Sequence, residues 1–211
     1  MKHVLVFIFI SACCSLETSA QSADSISEKF RILTERVKKL DTTVSFTEWR
    51  YTYAKTTEYF PYESGSREAI QKAHKLVDEK KHAEAMAVLE KALEKYYVSI
   101  DLHFTLATIQ LHLDSNSKDG SFHRWVVAKI LYSIDSSGDG ASPETAMHVI
   151  STSEEYVWLR FEKIKSTSQA LINKDGHVFD QMSGESRDGT KHSFYFNVDR
   201  LFASMRMHFD K

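Results

Sequence analysis

Across the stretch SIDSSGDGASPE, Ser133 to Glu144, the spacing of apolar residues changes its period. Before it they recur at three- and four-residue steps, as on one face of a helix. After it short runs alternate and are separated by turn residues, as in strands. A chain with helices first and strands second folds as α+β. The expected architecture is an N-terminal helical array containing a tetratricopeptide-like (TPR-like) hairpin. A small antiparallel β-sheet with short helices follows. Only two prolines occur, Pro61 and Pro143, so long helices are free to form between them.

The helical periods are specific. Ile26, Phe30, Leu33, Val37 and Leu40 place a helix over 25–40. Ser45 with Glu48 is a capping box opening a short helix, with Phe46, Trp49 and Tyr53 on one face. A core-anchored helix explains these aromatics better than a stacking platform does. Residues 66–80 and 83–95 form a helical hairpin, in which Ala73, Leu76, Ala85, Leu89 and Ala92 fall near tetratricopeptide positions. The period does not continue, because Asp119 stands where the next small residue belongs. Two further helices carry Leu102, Leu106, Ile109 and Leu113, then Phe122, Val126, Ile130 and Ile134, with a polar connector over 114–120 between them. Beyond the joint, Ser142-Pro143-Glu144 starts a turn of helix and 147–150 is a short strand. Ser151 with Glu154 caps another helix. Three strands, at SQALI, HVFDQM and HSFYFNV, are separated by Asn173–Gly176 and Arg187–Gly189, and DRLFASMRMHF closes the chain as a helix.

The first twenty residues read as a signal peptide: Lys2 and His3, the apolar VLVFIFISACCSL, then small residues up to a cleavage between Ala20 and Gln21. The rest, 21–211, reads as one unit with a helical part at 23–136 and a sheet-bearing part at 141–211. The location implied is periplasmic or secreted. The alternative is a lipoprotein, since ISAC at 10–13 resembles a lipobox that would anchor the chain through Cys13. Both cysteines, Cys13 and Cys14, lie in this segment, so cleavage after Ala20 leaves no thiol or disulfide chemistry. No later segment is apolar enough to span a membrane. A formal net charge of −2 without a basic cluster gives no nucleic-acid footprint.

Candidate sites compete with plainer readings. Asp135, Ser137, Asp139 and Gly140 match the first ligand positions and the glycine of a calcium loop, but its bidentate acid is missing, since Ala146 occupies that place. Asp135, Ser137 and Asp139 are therefore weak calcium candidates, and an Asp-Gly turn is the plainer reading. The histidines show no metal-binding spacing, and no cofactor motif is present. Adjacent Glu154 and Glu155 diverge by about 100° on a helix and would not act as an acid/base pair. His123, Asp139, Glu154, Glu155, Tyr156 and Asp180 are weak catalytic candidates. Tyr59, Pro61, Tyr62, Ser137, Gly138, Asp139 and Gly140 are candidate binding residues.

RYTYAKTTEYFPY (50–62), SGDGASPETAMHVISTSEEYVWLRF (137–161), QALINKDGHVFD (169–180) and FYFNV (194–198) occur in this order. In that order they resemble the bacterial proteins grouped as domain of unknown function 4919. The resemblance covers most of the chain after residue 20. It implies an exported bacterial envelope protein built as one unit, with no established activity to transfer. It also centres the joint on Ser-Gly-Asp-Gly rather than on Asp135, which weakens the calcium reading. The function expected is a non-catalytic module binding an unknown protein or peptide partner in the envelope. The alternative is an enzyme with its site at the junction of the two parts.

Overall fold

The computed structural model describes residues 14–62 and 64–209. The apolar segment before Cys14, including Cys13 of the lipobox, lies outside the described residues. Among the described residues eight α-helices and four strands follow one another. They are α1 (Cys14–Lys38), α2 (Phe46–Tyr53), α3 (Ser64–Asp78), α4 (His82–Leu93), α5 (Ile100–Leu113), α6 (Lys118–Asp135), β1 (Met147–His148), α7 (Thr152–Phe161), β2 (Lys165–Lys174), β3 (His177–Glu185), β4 (Lys191–Asn197) and α8 (Asp199–Phe209). A single 3₁₀ turn, Pro143–Thr145, stands at the Ser142-Pro143 start. The fold is α+β, as the change of period requires.

Local chemistry sets most boundaries. The Ser45 Oγ accepts from the Glu48 amide at 3.2 Å, and the Ser151 Oγ from the Glu154 amide at 3.4 Å, so both capping serines sit where the sequence puts them. α6 starts earlier than its apolar spacing suggests, because Ser117 caps it through the Gly120 amide and shortens the polar connector. α1 departs from expectation at both ends. Its backbone runs back through Gln21 and Ala20 to Cys14, and it stops at Lys38. Leu40 takes φ 55°, and the Asp41 amide reaches back to the Arg36 carbonyl at 3.0 Å. That is a Schellman ending. It turns Leu40 out of the expected apolar face and leaves it 51 % exposed.

The sheet is mixed rather than purely antiparallel, in the order β1-β4-β3-β2. β2–β3 and β3–β4 are antiparallel hairpins, whereas β1 runs parallel to β4, with Met147 opposite Phe196. Helix α7 lies between β1 and the rest of the sheet in the chain, which supplies the crossover that a parallel pair needs.

Among the described residues two apolar clusters form. The larger joins Val37, Trp49, Ile130, Met147, Leu159 and Phe196 with their neighbours, so it draws on α1, α2, α6, β1, α7 and β4 together. The smaller lies under the α3–α4 hairpin, where Ala73, Ala85 and Leu89 meet Leu102, Leu106 and Ile109 of α5. The hairpin is present, but its tetratricopeptide likeness rests on spacing alone. Among the described residues no helix is long and apolar enough to cross a membrane.

Candidate functional site

The residues singled out by sequence fall into five places. At the joint, the Ser137 Oγ donates to the Ile134 carbonyl at 2.6 Å and accepts from the His148 amide at 2.8 Å. The Asp139 Oδ1 accepts from the Ala141 amide at 2.9 Å, and a hydrogen bond from the Thr145 side chain, with that amide bond, holds its carboxyl below its ordinary range. Gly140, at φ +68°, donates to the Thr145 carbonyl and accepts from the Tyr195 amide, which ties the joint to β4. A Cβ on Gly138 would stand 2.3 Å from the Thr145 carbonyl oxygen, so only glycine fits. Asp135 accepts from the Trp158 indole N–H at 2.6 Å. The three calcium candidates thus each serve a separate local bond. Among the described residues no group of three His, Cys, Asp or Glu side chains is placed to hold a metal.

Glu154 and Glu155 do point apart. Glu154 turns to Arg50, and both side chains are fully buried. The Arg50 Nε donates to the Glu154 Oε1 at 2.8 Å, one terminal nitrogen to the Ser133 Oγ at 2.5 Å, and the other to the His148 carbonyl at 3.1 Å and to the Glu154 Oε2. That same Glu154 oxygen accepts from the Ile150 amide at 2.9 Å. The clasp joins α2, α6, β1 and α7. Its sequence signal lay in FTEWRYTY, where position 50 falls on the same face as 46, 49 and 53.

Glu155 faces the sheet instead, against Asp180 of β3. Burial pushes its carboxyl well above the usual range, and the charges of Asp180 and Glu154 push it further. Burial raises Asp180 too, against hydrogen bonds from Gln169 and Glu155. With both groups ionised, neither Glu155 oxygen has a hydrogen-bond partner. A proton on one of the two carboxyls would supply it, the direction in which burial already pushes both. Gln169 donates to the Asp180 Oδ2 at 2.7 Å and accepts from the Tyr156 hydroxyl at 3.1 Å, so three of the catalytic candidates share one network.

His123 belongs elsewhere, paired with buried His103 at 2.8 Å between their Nδ1 atoms. The His103 Nε2 meets the Tyr97 carbonyl at 2.9 Å and must carry a proton to donate there. Its Nδ1 is then bare and accepts from the His123 Nδ1–H. Burial lowers His103 to about 3 and His123 to about 4. The pair is a neutral core contact.

Tyr59 is buried, its hydroxyl donating to the Ile150 carbonyl at 2.6 Å, and Pro61 is buried beside it. Tyr62, by contrast, is 39 % exposed and lines a cleft of about 460 Å³ between α3, α5 and the start of α7. Ile70, Val77, Phe104 and Ile109 supply apolar walls. Asp101, Thr105 and Thr108, at successive turns of α5, supply a polar stripe. Burial raises the Asp101 carboxyl, while Ser153 and the charges of Arg160, Arg67 and His74 draw it back. Tyr156 lines the opposite side. The sequence reading missed Asp101, Arg67, His74 and Arg160. The polar stripe at 101, 105 and 108 on a helix rich in Leu and Ile was the available signal. The cleft has the size and mixed lining of a site for a small ligand or a few peptide side chains.

Residues 18–206 match the model of a family described as Domain of unknown function (DUF4919). No curated protein and no solved structure matches the chain.

Proposed function

The chain belongs to the DUF4919 family, and on that premise we propose that it is an exported, non-catalytic binding module whose ligand occupies the cleft between α3, α5 and α7. The observation that carries this reading is the cleft's lining. Apolar walls face the half-buried Asp101 carboxyl, with Arg67, His74 and Arg160 also in the lining and their charges acting on it. Such a lining fixes orientation through a few polar groups and gains affinity from apolar contact. The enzyme alternative draws on Glu155, Asp180 and Tyr156, but the first two do not line the cleft. A carboxyl pair shut away from the cavity supports catalysis less than the cleft supports binding.

Export is proposed from the apolar run and the small residues up to Ala20, with the lipid anchor at Cys13 as the alternative. The mass of the mature N-terminus separates the two. For binding, a displayed random-peptide library is selected on the wild type and on Thr108→Trp, whose indole would fill the cleft mouth. Thr108 is exposed, so the variant should melt as the wild type does. Peptides enriched by the wild type should be lost from the variant. The same peptides enriched on both would place binding outside the cleft.

A further inference from the structure

Beside the cleft lies a groove of about 560 Å³ at the end of α7 and the start of β2. Its charged lining is Arg160, Lys163, Lys165 and Arg187 against Glu185. The chain as a whole carries a formal charge of −2, so four cations around one groove are a local concentration, not a bulk property. All four are exposed, and among the described residues no ion pair involves any of them.

Arg160 lines both cavities, so groove and cleft are neighbours along one surface. Its guanidinium lies over the Phe104 ring, 5.0 Å from the centroid, at the boundary between the apolar walls and the cations. β2 is the outer strand of the sheet, paired on one side with β3. Lys165 and Thr167, at its start, line the groove where the pairing register shifts. An outer strand offers backbone donors and acceptors to another chain. A concave apolar cleft, a strand edge and a row of unpaired cations together suit a polypeptide. A lipid headgroup or a sugar polymer would use the charge but not the edge.

We propose that the partner is an acidic peptide segment, with one apolar side chain in the cleft and its carboxylates running past Arg160 over Lys163, Lys165 and Arg187. This rests on the cleft being the binding site. The test uses the whole chain and three synthetic peptides, each with one phenylalanine followed by a run of glutamates, glutamines or lysines. Binding is read by fluorescence anisotropy. The glutamate peptide should bind roughly tenfold tighter than the glutamine peptide at low salt, as several exposed charge pairs together allow. That advantage should collapse in roughly 0.5 M salt. Lys163→Glu with Arg187→Glu should remove it without moving the unfolding midpoint, and Thr108→Trp should weaken both peptides. Equal binding of the glutamate and glutamine peptides overturns the acidic partner. The cleft reading then survives if Thr108→Trp still weakens both. No binding by any peptide, or binding indifferent to Thr108→Trp, overturns both. Phosphatidylglycerol vesicles that displace the glutamate peptide and depend on the same two cations would make the partner a membrane surface and overturn the proposal.

Discussion

Arg50 carries a charge into the interior and can stay there because four hydrogen bonds, two of them to a carboxylate, receive it. Such pairs contribute little net stability when intact, yet removing one partner leaves a naked buried charge. Arg50→Met should therefore cost about 3–5 kcal/mol in urea unfolding, and Arg50→Met with Glu154→Leu should cost less than the two single changes added together. The Glu155–Asp180 pair makes a different forecast. Raised in the folded chain, Glu155 keeps a proton that the unfolded chain releases above about pH 4.5. Its contribution is whole below that point and is lost as pH rises through its folded value. His103 and His123 act in the opposite sense: lowered by burial, they cost stability as pH falls below about 6.5. Glu155→Gln keeps the shape and supplies a donor to Asp180 at every pH. Its stability should match the wild type near pH 4 and exceed it near pH 8, by up to about 1.4 kcal/mol per unit of pH across the titration. Parallel profiles would remove the shared proton.

Elements meet at the Ser-Gly-Asp-Gly joint, where backbone presses on backbone. Gly138→Ala would drive a Cβ into the Thr145 and Ala146 carbonyls, neither of which is a flexible tip. A loss of roughly 2–4 kcal/mol in thermal or urea melts is expected, the range of a site that cannot relax. Three helices, α1, α3 and α7, end on left-handed residues that are not glycine: Leu40, Lys80 and Lys163. Lys80→Gly should stabilise the chain by up to about 1 kcal/mol, since glycine bears that conformation without strain. These endings also explain what sequence could and could not disclose. The helices and hairpins were legible because Leu33, Val37, Val126, Ile130 and Ile134 repeat with the helical period, and because the Asn-Lys-Asp-Gly and Arg-Asp-Gly turns stand between alternating runs. The stop of α1 was not, because no glycine marks it. Nor was the partner of β1, since two residues carry no register of their own. In the site, Tyr62 was legible as an aromatic beside a proline. Arg50 and Asp101 left only a trace, a charge on the apolar face of α2 and a polar stripe on α5, whose meaning depends on partners from distant segments.

At the scale of the whole molecule, the two apolar clusters divide the work. The larger unites the helical and sheet-bearing parts, while the α3–α4 hairpin rests on its own small cluster and on α5. Native-state hydrogen exchange should therefore show the amides of α3 and α4 opening at lower free energy than those of α6 and β4. Uniform protection would contradict that division. The cleft lies against this hairpin, so an element outside the larger core forms one of its walls.

The Arg50–Glu154 clasp has a consequence in time. Its two halves lie 104 residues apart. At a synthesis rate of about 5–20 residues per second, Arg50 joins the chain roughly 5–20 s before Glu154 does. During that interval α2 cannot bury Arg50 without stranding its charge, so the central layer has to wait for the second half of the chain. A nascent chain held open in this way stays pliable until the segment after the joint has been made, and then closes around a pairing that only that segment can supply.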